Sequence, residues 1–411
     1  PGKKRHTKNE IFSVSETPSY MHIAINAHLL AHTRSFRRAG VSNYTEALLT
    51  HLGAIDHQNR YTIYTTHGLD GAALGLPPNF AVRPSLLPTI NPRVRIPWEQ
   101  LLAPALLRLN GTDVFHGVLN VAPLFCPVPS VITIHDLAFL SFPQTFRRLN
   151  RAYLTWATRA SARRASRILA VSEATKQEIV RLLGVPPEKI IVTYDAAEAR
   201  FAPPDPAALA AFRKRAGLPE RFILFISTLE PRKNLPMLLD AYARIAASTD
   251  APLIIGGGKG WLYDQIFAKA ESLNLGDRVR FVGFIDSPDL PLWYAAATVF
   301  TLPSLYEGFG MPLLEAMSCG TPVVTTTSSS LPEVVGDAGL LVPPTDAEAL
   351  GEALLRLLND AVLRAEMRER GLQQALRFSW RDTAERTLAA YRDAAGTATN
   401  SPATSVKNTK S

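Results

Sequence analysis

From residue 21 onward, short β-branched runs alternate with longer stretches whose apolar residues recur at helical spacing. The runs predict strands at Met21–Ala27, Tyr61–Thr66, Phe80–Pro84, Asp113–His116, Ser130–His135, Arg167–Val171 and Lys189–Tyr194 in the first half. In the second half they predict Phe222–Ser227, Pro252–Ile255, Val279–Val282, Val299–Leu302, Pro322–Thr326 and Gly339–Val342. Helices are expected between them, near 42–53, 97–109, 147–164, 173–184, 235–247, 263–273, 312–318 and 346–358. Near-continuous apolar strands separated by helices belong to parallel sheets covered on both faces, so the fold class is α/β, with two doubly wound parallel-sheet domains.

The stretch Ala196–Gly217 carries Pro203, Pro204 and Pro206 ahead of an Ala-rich helix, the composition of a linker. Domains are therefore expected at 20–200 and 201–378. Trp380, Ala384, Leu388 and Tyr391 then place one more helix at 379–395, expected to pack back toward the first domain. Residues 1–19 and 396–411 are polar and expected to be disordered tails.

With 46% hydrophobic and 19% charged residues, the chain has the composition of a soluble globular protein, which excludes global disorder. No stretch reaches the ~18 uninterrupted apolar residues of a spanning helix, and residues 1–19 lack the apolar core of a signal peptide. Two cysteines, Cys126 and Cys319, are too few for a disulfide framework, so a cytoplasmic location is expected. The net charge of +8 is unevenly held: residues 1–200 carry +10 and the remainder −2. All nine histidines lie between His6 and His135. The first half therefore faces something anionic, and the two halves have different partners.

In open parallel sheets ligands bind outside the carboxyl ends of the strands. In the second half nearly every such end bears an unusual word: Ser227-Thr228-Leu229-Glu230-Pro231-Arg232-Lys233-Asn234, Gly256-Gly257-Gly258-Lys259-Gly260, Gly283-Phe284, and Tyr306-Glu307-Gly308-Phe309-Gly310. Glycines allow close backbone approach, and their N–H groups can form an anion nest. Pro312 suits the first turn of the following helix and Gly320 its end, so the positive pole of that helix faces Gly308–Met311, where a diphosphate would fit. Arg232 and Lys233 add two cations able to neutralise a departing phosphate. Gly256–Gly260 matches neither the dinucleotide fingerprint nor a Walker A loop, which argues against a dehydrogenase and a P-loop NTPase. Glu307 and Glu315, eight residues apart, can enter one cleft at different depths. Apolar neighbours leave Glu315 in need of a partner, such as hydroxyls of a sugar or ribose.

The run Glu307 to Met317, EGFGMPLLEAM, resembles the E-x7-E element of retaining glycosyltransferase family 4, which has the GT-B fold of two Rossmann-like domains facing across a cleft. Thr228–Leu235, Arg280–Gly283 and Gly336–Pro343 continue the resemblance, which spans about residues 21–395. It implies that Glu307 contacts the donor sugar, Glu315 the ribose, Arg232 and Lys233 the diphosphate, and Gly283-Phe284 the base. The other donor-side positions are Ser227, Gly308, Phe309, Gly310 and Met311. Many relatives have Gly-Arg where this chain has Ser227-Thr228.

By the same resemblance the domain of residues 20–200 binds the acceptor and that of 201–378 the nucleotide sugar. Arg37–Tyr44 is similar to the family's glycine loop, with Gly40 near the donor diphosphate and Ser42 able to cap the next helix. His135-Asp136 resembles an element lining the acceptor side. His116 ends a strand at the same edge, whereas His22, His28 and His32 read as structural or surface residues. Between Arg147 and Arg167 stand seven arginines and no acidic residue, with aromatic residues interleaved. This could be a surface for anionic lipid headgroups or a solvated helix face.

The expectation is a retaining, metal-independent glycosyltransferase, cytoplasmic and peripheral on the inner face of the plasma membrane. It would move a hexose, preferably mannose from GDP-mannose, to a glycan or lipid-linked acceptor in cell-surface polysaccharide or glycolipid assembly. UDP-glucose and UDP-N-acetylglucosamine remain open as donors. No Asp-x-Asp occurs in the chain, no cofactor is expected, and nucleic acid is not an expected partner. The alternatives are a non-catalytic basic binding protein on a GT-B scaffold, or a GT-B epimerase or phosphorylase.

Overall fold

The computed structural model describes residues 20–30, 40–69, 71, 74–143, 148–258, 260 and 263–399. Seven strands form the first sheet: β1 His22–Ala27, β2 Arg60–Thr65, β3 Phe80–Pro84, β4 Val114–Gly117, β5 Ser130–Ile134, β6 Arg167–Ala170 and β7 Ile190–Val192. Six form the second: β8 Ile223–Ile226, β9 Leu253–Gly256, β10 Val279–Gly283, β11 Val299–Leu302, β12 Val323–Thr326 and β13 Gly339–Val342. Every pairing is parallel. Strand orders are β3-β2-β1-β4-β5-β6-β7 and β10-β9-β8-β11-β12-β13. Each order reverses beside its first strand, at β1/β4 and β8/β11, and those two switch points are where such sheets open a ligand crevice.

Central strands such as β1, β5, β8 and β11 are buried throughout, and the edge strands β3 and β10 are not, because helices cover both faces only near the middle. The helix Leu235–Ile245 buries Leu235, Leu238, Leu239, Tyr242 and Ile245, a stripe at helical spacing, against the helix Ala347–Asn359. Past the proline-rich stretch, the helix Pro206–Arg215 sets Phe212 edge-on to Trp293 of the second domain.

The helix Trp380–Thr399 returns to the first domain and packs along the helix Gly40–Ile55. Trp380 meets Tyr44 and His51 there, and the Tyr391 hydroxyl pairs with His116 Nδ1 at 2.7 Å. Residues 396–399, expected in the tail, continue this helix, since Gly-Thr-Ala-Thr contains no residue that must end it. The stretch 97–109 is not one helix. A π turn at Trp98–Leu102 joins Pro92–Pro97 to Ala103–Leu109, and the prolines Pro97 and Pro104 cannot donate to a regular ladder. The helix Ala361–Ala375 was not expected from the sequence: its exposed face is strongly charged and its apolar stripe thin. The tails 1–19 and 400–411 lie outside the described residues.

Candidate active site between the two domains

Both second-domain loops at the β8/β11 switch point bend toward one cluster. After β8 the chain makes a single 3₁₀ turn at Pro231–Lys233, released by Asn234 in the left-handed conformation at φ 58°. The Arg232 carbonyl accepts from the Leu305 amide at 2.9 Å, which ties this turn to the loop after β11. Glu307 is buried between the two cations. Its Oε1 accepts from Lys233 Nζ at 2.5 Å and from Ser304 Oγ at 2.7 Å, and its Oε2 from Arg232 at 3.1 Å. Arg232 also pairs with Glu230 Oε1 at 2.9 Å.

Burial alone would raise the Glu307 carboxyl, but the Lys233 ammonium and the Arg232 guanidinium beside it hold it below the usual carboxylate range. Burial pulls the Lys233 ammonium down, against the attraction of Glu307. Two cations and two carboxylates thus form a buried, locally neutral set. Arg232 and Lys233, expected to neutralise a departing phosphate, are held in place by Glu230 and Glu307.

The next residues touch the first domain. Gly308 lies so close to His135 that a Cβ on it would stand 1.9 Å from the His135 carbonyl oxygen. The Gly308 carbonyl accepts from Ser172 Oγ at 2.7 Å and Thr175 Oγ1 at 3.1 Å. Tyr306 accepts from the Leu137 amide at 2.9 Å and donates to Glu178. The Glu333 carboxylate accepts from the amides of Glu173 and Ala174 at 2.8 and 3.2 Å and from the Tyr194 hydroxyl at 2.7 Å. Gly310, at φ 110°, starts the helix Met311–Ser318, with Pro312 in its first turn and Gly320 at φ 76° closing its end, as the sequence suggested. Phe309 is buried and faces Phe378 and Tyr194.

The glycine run after β9 makes a turn and not a phosphate cradle. Gly257 takes φ 140° with Ser227 O only 1.8 Å from where a Cβ would lie, and its amide is spent on Gly283 O at 2.7 Å. Gly260 donates to Leu229 O at 3.1 Å. These residues stitch the loops after β8, β9 and β10 together, holding Ser227 and Gly283 in place; Lys259 lies outside the described residues. Gly283 is left-handed at φ 72°, and Phe284 beside it leaves 51% of its surface exposed, a flat apolar face at the rim.

Glu315 does not join the Glu307 cluster. It accepts from the Tyr294 hydroxyl at 2.8 Å, and burial pushes its carboxyl up to about 7, opposed by the Tyr294 hydrogen bond and the Arg200 guanidinium.

On the first-domain side, His135 Nε2 faces the Val118 carbonyl at 2.9 Å. A carbonyl only accepts, so Nε2 carries the proton and Nδ1 is left as an acceptor. Burial lowers the imidazole's proton affinity, with the Val118 carbonyl and Asp136 acting the other way. Tyr44 stands edge-on to the ring at 4.6 Å. Asp136 caps the short helix after it through Ala138 N at 3.0 Å. His116 is a core residue, fully buried between Tyr391 and Thr133 Oγ1, and burial pushes its imidazole down to about 3. Gly40 is exposed and opens its helix, which makes Ser42 an interior, buried position and not the cap. Arg37, Arg38 and Ala39 lie outside the described residues, as do His32, Phe146 and Arg147. In the helix Arg148–Arg164, Arg148, Arg159, Arg163 and Arg164 are exposed together with Trp156.

Sequence reasoning missed Ser172, Thr175, Tyr306, Ser329, Ser330 and Glu333. Tyr306 stood inside a quoted word, and Ser172 before an acidic residue is a helix-cap signal, but neither revealed a partner in the other domain. Ser329 Oγ, at φ 44°, exchanges bonds with Glu307 N and O, both at 2.8 Å, and Ser330 Oγ donates to Phe309 O at 2.7 Å.

The family model described as glycosyl transferases group 1 matches residues 210–374, and that described as glycosyltransferase family 4 matches residues 38–198. The chain is 39% identical over 266 residues to the O-antigen chain mannosyltransferase B of Escherichia coli, covering 64% of this chain and 70% of that protein. It is 30% identical over 238 residues to the serotype-specific mannosyltransferase WbdA of Escherichia coli, covering 56% of this chain but 29% of that longer one. Among solved structures, a sucrose-phosphate synthase from Thermosynechococcus elongatus superposes with a TM-score of 0.74 at 23% identity, over 90% of this chain and 98% of that one.

Proposed function

This chain belongs to the family 4 glycosyltransferases, with two Rossmann-like domains in the GT-B arrangement, and from that premise we propose that it transfers mannose from GDP-mannose to a glycan or lipid-linked acceptor with retention of configuration. The reading is carried by the Lys233–Glu307–Arg232 constellation, which stands at the β8/β11 switch point where Gly308 meets His135. The mannosyltransferase relatives support the choice of sugar.

In this mechanism the bond from the sugar C1 to the phosphate oxygen breaks. Arg232 and Lys233 take up the charge gained by the leaving diphosphate, together with the amides at Gly308–Met311 and the positive end of the helix behind them. The acceptor oxygen bonds to C1 from the same face, and its proton passes to the departing phosphate oxygen. Glu307 orients both cations and meets the sugar; Phe284 offers a face to the base. Incubation with GDP-mannose, UDP-glucose or UDP-N-acetylglucosamine and a lipid-linked acceptor extract tests the assignment. Mannosyl transfer is expected, and transfer from a UDP-sugar alone would replace the donor.

Because fixed cations face the diphosphate, activity is expected to survive excess EDTA, whereas Lys233→Ala should cost about 2–4 kcal/mol of transition-state stabilisation. Inactivation by EDTA with rescue by magnesium or manganese would mean that a metal supports the leaving group. The exposed arginines around Trp156 suit an anionic membrane surface, which belongs to this proposal.

Glu315 is assigned to the ribose, and its raised carboxyl makes donor binding pH-dependent. A carboxylate accepts hydroxyl hydrogen bonds that the protonated acid accepts poorly, so binding favours the ionised form and releases a proton. Affinity for the intact nucleotide sugar should therefore rise with pH through about 7, by roughly tenfold from pH 6 to pH 8. Calorimetry on wild type and Glu315→Gln checks this, since the variant should bind weakly and without the pH dependence.

A further inference from the structure

Two hydroxyls of the first domain meet one carbonyl of the second, beside the carboxylate at the centre of the site. Ser172 is the N-cap of the helix Glu173–Glu178, its Oγ accepting from Thr175 N at 3.0 Å. The capping bond leaves the single Ser172 proton free to be donated, and of the two acceptors in reach, Gly308 O at 2.7 Å and Thr175 Oγ1 at 3.0 Å, the carbonyl is the nearer. Thr175 Oγ1 donates to the same oxygen at 3.1 Å. Both residues are almost wholly buried, and Gly308 directly follows Glu307. With both lone pairs of its carbonyl engaged, the peptide between Gly308 and Phe309 has one orientation. A trans peptide points its N–H opposite to its C=O. Holding Gly308 O toward the first domain therefore turns the Phe309 amide away from it. The Leu137–Tyr306–Glu178 bonds and the Glu333 carboxylate on Glu173, Ala174 and Tyr194 clamp the two sides of this contact.

We propose that Ser172 and Thr175 are positioning residues for glycosyl transfer, which set Glu307 and the Phe309 amide in their working orientation only when the two domains are closed on each other. The proposal rests on the transferase reading given above. It predicts that the donor binds to the second domain whether or not the hydroxyls are present, and that transfer needs them. An open enzyme would hold its nucleotide sugar with the reacting groups misdirected, which protects the donor from hydrolysis until closure.

Thr175→Val removes one hydroxyl without touching the cap and keeps the side-chain shape. Ser172→Asp keeps a capping oxygen but has no proton to donate when ionised. Thr175→Ser and Ser172→Thr restore the hydroxyls. In Thr175→Val and in Ser172→Asp/Thr175→Val, kcat for transfer is expected to fall at least tenfold and at least thirtyfold. The nucleotide dissociation constant should stay within threefold of wild type, and the hydroxyl-restoring variants should recover most of the rate. Spin labels placed one on each domain should report a longer distance in the two defective variants. The idea is overturned if Thr175→Val turns over within threefold of wild type, or if its loss of rate is matched by an equal loss of nucleotide affinity. If wild type transfers no sugar from any of the three donors, the transferase reading fails. The contact is then judged by the label distances, and unchanged distances in the variants reject it as well.

Discussion

Glu307→Gln is expected to lower kcat by about 10²- to 10³-fold, the loss typical of one preorganised charge-stabilising group, while nucleotide affinity is unchanged or improved. The carboxylate is the shared partner of Lys233 and Arg232, with Ser304 as a third donor. Neutralising it frees both cations to bind diphosphate in the ground state, so affinity does not fall. Their orientation toward the reacting phosphate is lost, so the rate does. The amide keeps the volume and can still accept from Ser304.

Glu307→Ala adds a second effect. It leaves Lys233, 7% exposed, and Arg232 buried with one partner fewer, and breaking a buried pair from one side costs about 3–5 kcal/mol. Both variants take the shared counter-charge from Lys233 and Arg232, so thermal unfolding should place the glutamine below wild type and the alanine, which also loses the acceptor oxygen and leaves a cavity, lower still. Single-turnover rates and nucleotide titrations complete the measurement. Wild-type turnover in Glu307→Gln would remove this carboxylate from the mechanism.

Gly308→Ala is expected to abolish transfer, by at least about 10²-fold, through a contact between domains and not through backbone strain. An added Cβ would lie 1.9 Å from the His135 carbonyl oxygen and 2.9 Å from its carbon, and both are backbone atoms that cannot rotate away. The domains must separate locally by an ångström or more, which breaks the Ser172 and Thr175 bonds to the same residue. Neither Gly308 nor His135 belongs to the clusters of buried apolar side chains, so the melting temperature should change little. Full activity in a folded Gly308→Ala protein would show that the closed contact is not part of the reaction.

Much of the architecture was legible because it is local. Apolar runs such as Phe222–Ser227 carry their own strand signal, and β8 occupies Ile223–Ile226 within it. The helix Leu235–Ile245 repeats leucines at the period that must be buried. Where the expectation slipped, a local rule had been overridden. The prolines at 97 and 104 broke one helix into three pieces, and Ser42 fell inside a helix that Gly40 already opens. The glycines 256–260 allow a turn or an anion nest in sequence, and the amides of Gly257 and Gly260 are consumed in joining neighbouring loops.

The sequence by itself determined two parallel sheets and the words at the ends of β8 to β11. Strand period, helix period and turn chemistry act over a few residues and are written in consecutive positions. Only the tertiary structure decided what those words do to one another. Lys233 and Glu307 are 74 residues apart, Ser172 and Gly308 are 136, and His116 and Tyr391 are 275. A carboxylate, a hydroxyl or an imidazole has many suitable partners along 411 residues. Which one it receives depends on how two sheets and a returning helix close on each other, because hydrogen bonds and ion pairs form only within about 3 Å.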